Sequence, residues 1–81
     1  MITKTPVHEE ILTSRKIQVE RKQFYFDLKE NPRGRFLRIT EDVNGRRDMI
    51  IIPSTGLKDV RDAIDQIITH DEQTQPMTPA V

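Results

Sequence analysis

The sequence predicts an α+β fold of order ββββα, a four-stranded antiparallel sheet followed by one C-terminal helix. Three observations carry it. Apolar and polar residues alternate at period two in successive stretches between Ser14 and Thr40, and a β-branched run follows at residues 48–52. Asn31-Pro32-Arg33-Gly34 and Asn44-Gly45 separate these stretches as hairpin turns. From Gly56 onward the apolar spacing lengthens to that of a helix.

Each element has its own justification. In SRKIQVE, Ile17 and Val19 oppose Lys16, Gln18 and Glu20. In QFYFDLKEN, Phe24, Phe26 and Leu28 oppose Gln23, Tyr25, Asp27, Lys29 and Asn31, and in RFLRITE, Leu37 and Ile39 oppose Phe36, Arg38 and Thr40. One apolar and one polar face per strand is the pattern of an antiparallel sheet solvated on one side. Proline fixes φ in the first of the two clear turns and glycine accepts a positive φ, whereas the link Glu20-Arg21-Lys22 has no glycine and is the weakest turn. Pro53 closes the fourth strand without costing a central ladder bond. Leu57, Val60, Ile64, Ile67 and Ile68 then form a helical stripe, with Ser54 or Thr55 as candidate caps.

An 81-residue chain fits one small domain. Residues 1–12 are expected to be a flexible N-terminal segment, residues 13–70 the folded repeat, and residues 71–81 a disordered tail rich in Gln, Thr and Pro. Zero cysteines exclude a disulfide framework, thiolate zinc sites and thiol nucleophiles. No apolar run approaches the ~20 residues of a membrane helix, and the N-terminus lacks a signal layout. A cytoplasmic protein, nucleoid-associated if bacterial, is the expectation. One helix covers a four-stranded sheet poorly, and a core this small rarely stabilises a chain alone, so a homodimer is expected.

The net charge of zero hides a division. Residues 13–47 carry ten basic and five acidic side chains, and residues 48–81 carry two basic and six acidic ones. The basic half is suited to a polyanion. Within it Phe36 is the oddity: Leu37 and Ile39 claim the core side, which puts Phe36 on the polar face with Tyr25, Lys16, Lys29 and Arg38, near Arg33 and Arg35 of the turn. Exposed rings stack on bases and cations follow phosphates, which is how single-stranded nucleic acid is held. Asn31 adds an amide that can read a base edge or hold a phosphate. The pattern alone equally allows Phe36 to be buried by a partner subunit, and Tyr25 to be ordinary cross-strand packing.

No enzymatic constellation competes. His8 and His70 lie near the ends without partners at diagnostic spacing, and Asp59, Asp62 and Asp65 read as a solvated helix face. The three glycines are isolated, so no phosphate loop exists, and neither a cofactor, a metal nor a small-molecule substrate is expected.

The stretch Glu20 to Thr40, ERKQFYFDLKENPRGRFLRIT, resembles a PUR repeat, the purine-rich-element-binding module. The matching pieces are the aromatic-rich strand Lys22 to Lys29, the turn residue Asn31, and Gly34-Arg35-Phe36-Leu37-Arg38-Ile39, and the order of elements agrees over residues 14–70. The resemblance implies a whirly-like ββββα unit that pairs with a second copy by exchanging helices, here as a homodimer of single-repeat bacterial type. It implies binding of single-stranded DNA or RNA with a purine-rich, G-rich preference, and a role in transcriptional or post-transcriptional regulation. Lys22, Lys29, Asn31, Arg33, Phe36 and Arg38 are carried over by position, with Phe36 as the wedge that stacks and separates bases. Tyr25 and Arg35 complete the expected site. Two positions depart from the family pattern: Glu20-Arg21 stands where a neutral polar pair is usual, and Gln23 where Arg or Lys is usual. The alternative reading is a dimeric protein–protein adaptor whose polar face binds an acidic protein.

Overall fold

The computed structural model describes residues 9–74. Four antiparallel strands, β1 (Glu10–Val19), β2 (Lys22–Asn31), β3 (Gly34–Val43) and β4 (Arg46–Pro53), form one sheet in sequential order. A 3₁₀ turn at Ser54–Gly56 leads into the helix α1 (Leu57–Gln73). The expected ββββα order is the observed one.

Both expected turns are tight. Pro32-Arg33 joins β2 to β3, with Gly34 at φ 138°, and the Asn31 carboxamide oxygen accepts the Arg33 N–H at 2.8 Å. Asn44-Gly45 joins β3 to β4 with φ 54° and 85°, and Asp42 accepts the Gly45 N–H at 3.0 Å. The link without glycine is equally tight, because Glu20 itself takes φ 56°.

Sequence and structure differ at three element ends. β1 begins at Glu10, ahead of the expected boundary at residue 13. A register shift between Ile11 and Thr13 inserts Leu12 as an extra residue, and a bulge breaks the alternation by which a strand is recognised. The helix runs to Gln73, past residue 70, the expected end of the folded repeat. Gly56 occupies its N-cap position with no side-chain cap, since Ser54 and Thr55 are drawn into the 3₁₀ turn. Residues 1–8 and 75–81, where most of the expected flexible segment and tail fall, lie outside the described residues.

Register fixes the two faces. Ile17, Phe24, Phe26, Leu28, Leu37, Ile39, Ile50 and Ile52 share one. The helix meets it only through its N-terminal half, where Leu57, Val60 and Ile64 line a hollow of about 260 Å³ with Phe26, Leu37 and Ile39. Farther along the sheet, Phe24, Ile39, Met49 and Ile50 border a second hollow of about 240 Å³ that lacks any helix residue. Among the described residues no apolar side chain is buried, and Ile67 on the helix is 66 % exposed. No helix of the described residues is long and apolar enough to cross a membrane.

Candidate nucleic-acid interface

The opposite, polar face is built in four cross-strand rows. Ile11, Lys29, Phe36 and Pro53 form the first, and Ser14, Asp27, Arg38 and Ile51 the second. Lys16, Tyr25, Thr40 and Met49 follow, then Gln18, Gln23, Asp42 and Arg47. Phe36 and Tyr25 therefore both stand on this face, as alternation requires, separated by four residues of strand, about 14 Å.

Phe36 is half-buried and lines a hollow of about 490 Å³ with Glu9, Asn31, Arg33, Gly34, Arg35, Ile51 and Pro53. The strand places the ring, and Arg33 and Arg35 of the adjoining hairpin line the same hollow. Neither Arg33 nor Arg35 forms an ion pair among the described residues, so both remain available to an anion. The Asn31 oxygen is engaged by its own turn, which leaves the amide NH₂ as a donor.

The other expected cations are placed differently. Lys29 is the one buried charged residue of the described chain, 8 % exposed, and its Nζ lies 2.7 Å from Glu9 Oε1. Arg38 bonds Asp27 at 3.3 Å, and Asp27 also accepts the Ser14 hydroxyl at 2.7 Å. The Arg38 Nε is buried without a hydrogen-bond partner. The Ser14 hydrogen bond, then that of Arg38, hold the Asp27 carboxyl below its usual range. The Lys29 hydrogen bond does the same for Glu9. Lys29 and Arg38 thus form a paired layer beneath and beside the ring. Lys22 is not brought to this face at all. It shares the apolar side with Phe24 and pairs with Glu41 at 3.0 Å. Arg35 also belongs to that side by register, but at the sheet margin it reaches the Phe36 hollow.

Two contributors, Arg47 and Ile51, were not among the expected site residues. Arg47 and Lys16 flank Tyr25, 5.6 Å and 5.4 Å from its ring centre, within cation–π range. Arg47 is anchored by Asp42 at 2.8 Å, and the Tyr25 hydroxyl donates to Gln23 at 2.8 Å. Ile51 supplies an apolar wall for the hollow. The two-residue Asn44-Gly45 hairpin contains the signal for both β4 residues: it fixes Asp42 opposite Arg47 and Arg38 opposite Ile51.

Residues 3–77 match the family model described as PurA ssDNA and RNA-binding protein. The chain belongs to this PurA family. Among PurA relatives, it is 48 % identical over 61 residues to Transcription factor Pur-alpha 1 of Arabidopsis thaliana, covering 75 % of this chain and 21 % of that one. It is 35 % identical over 83 residues to Transcriptional activator plp-1 of Caenorhabditis elegans, covering 94 % and 37 %. With human Transcriptional activator protein Pur-alpha it shares 32 % over 69 residues, 84 % and 21 % of the two chains. The chain thus spans a fifth to somewhat over a third of the length of these relatives.

Proposed function

We propose that this PurA-family chain binds single-stranded DNA or RNA across its polar sheet face, prefers purine-rich and G-rich sequence, and acts in transcriptional or post-transcriptional regulation. The observation that carries the reading is the half-buried Phe36 ring in a hollow also lined by Arg33 and Arg35, which form no ion pair among the described residues. A base stacked on that ring leaves its phosphates within reach of Arg33 and Arg35, the pairing of π-face and cation that single strands require. The names of the relatives, each a transcription factor or activator, support the regulatory role. A cytoplasmic location, or a nucleoid one in a bacterium, goes with it.

The working unit in this reading is a helix-exchanged homodimer. The apolar face carries Ile50 at 59 % exposure and the helix carries Ile64 and Ile68 at 50 % and 47 %. A second copy's helix laid over the Phe24–Ile50 hollow would cover both. The test of binding is a salt titration with a purine-rich single-stranded oligonucleotide. Nucleic-acid binding requires log affinity to fall with log salt by about 0.7 per phosphate neutralised. Affinity for an acidic peptide with none for the oligonucleotide would favour the adaptor reading instead.

A further inference from the structure

We propose that Glu9 is a base-reading residue that selects guanine in the Phe36 hollow. The inference rests on the reading that this hollow receives a base. Glu9 is the one acidic residue among the described residues that line the hollow, beside Phe36, Ile51 and Pro53. A carboxylate beside a phosphate-binding surface would oppose binding if it were free to swing outward. Here it is pinned, because Lys29, itself buried, holds Oε1 at 2.7 Å. A carboxylate has about four lone-pair sites, so one ammonium contact leaves acceptor capacity, and the side chain is 39 % exposed. The Lys29 contact also keeps it ionised and therefore acceptor-only at neutral pH.

An acceptor-only group at the edge of a stacking platform sorts bases by the donors on their open edge. Guanine's Watson–Crick edge presents N1–H and N2–H₂ side by side, a match for a carboxylate. Adenine presents a ring-nitrogen acceptor next to its single amino group, and cytosine does the same. Uracil and thymine place one N–H between two carbonyl oxygens. For each of these three arrangements a lone pair faces the carboxylate, and mispaired polar groups in a partly dry site are the strongest source of discrimination. Arg33 and Arg35 lie on the same hollow to offset the charge, and the Asn31 amine remains a donor for the sugar–phosphate or the O6/N7 edge.

The experiment measures affinity of the full chain for oligonucleotides that differ at one position, guanine, inosine or adenine, at fixed salt. The wild-type chain should prefer guanine over adenine by about tenfold or more, with inosine, which lacks only the N2 amine, in between. Glu9→Gln keeps an acceptor for Lys29 but presents an amine to guanine's donors. It should bind the guanine oligonucleotide about tenfold more weakly and bring the guanine-to-adenine ratio close to one. If inosine and guanine bind the wild-type chain equally, or if Glu9→Gln tightens binding and keeps the ratio, the proposal is overturned. The inosine comparison needs no variant, so a Glu9→Gln chain that fails to fold leaves the proposal exposed to refutation. Wild-type chain that binds none of the three would sink the nucleic-acid reading itself, a different result from binding without discrimination.

Discussion

Phe36 shows how a single side chain acquires a role from its neighbours' parity. Leu37 and Ile39 turn toward the helix, so Phe36 faces away from it, with Lys29 on one side and Pro53 on the other. Phe36→Ala removes a stacking surface and no charge. It should weaken oligonucleotide binding by about 1–3 kcal/mol without changing the salt slope, as read by fluorescence anisotropy at several salt concentrations. The turn arginines act in the opposite manner. Replacing Arg33 and Arg35 together by Ala should flatten that slope by about 0.7 per cation lost. The paired carboxylates answer to pH. Asp27 and Glu9 both have folded-state values below their ordinary ones of 3.8 and 4.5. The stability they contribute is therefore complete above those values and is lost as pH falls through the depressed ones. Denaturation midpoints should be level from pH 7 to about 5 and drop toward pH 3, with a smaller drop in Asp27→Asn.

At the scale of elements, the hairpins made most of the sheet legible. Alternation assigned the faces of Phe24–Leu28 and Phe36–Ile39 correctly because each strand has one apolar side. Two turns with glycine or asparagine at positive φ set the register between them. Gly45 at φ 85° is the position where this depends on residue type. Gly45→Ala should lower stability by about 1–3 kcal/mol in a denaturant titration, and because an added Cβ meets nothing within 4 Å the cost lies in the backbone conformation and not in a clash with neighbours. What was hidden has physical reasons. The Leu12 bulge erased the period at the start of β1, and the 3₁₀ turn took Ser54 and Thr55 from the cap position. β4 is apolar on both sides, so Ile51 could not be assigned to the Phe36 hollow by alternation. Counting across the hairpin would have placed it. Lys29 and Arg38 read as free cations from sequence because Glu9 and Asp27, their partners, lie on other strands or outside them.

The whole molecule is defined by two sheet faces with different needs. The apolar one meets the chain's own helix at Leu57, Val60 and Ile64, and Ile67 farther along that helix is 66 % exposed. If a second copy completes the cover, Ile67→Asp should convert a dimer to monomer or unfolded chain by light scattering. The loss would be about 1.5–3 kcal/mol of apolar burial per protomer. The polar face is then free for its ligand, and its use is the central claim. Photocrosslinking a halogenated-uracil, purine-rich single strand to the protein and identifying the modified peptide tests this most directly. Crosslinks should fall on residues 31–38, centred on Phe36, and be competed by unlabelled oligonucleotide. Competable crosslinks confined to the helix or to the Phe24–Ile50 side would contradict it.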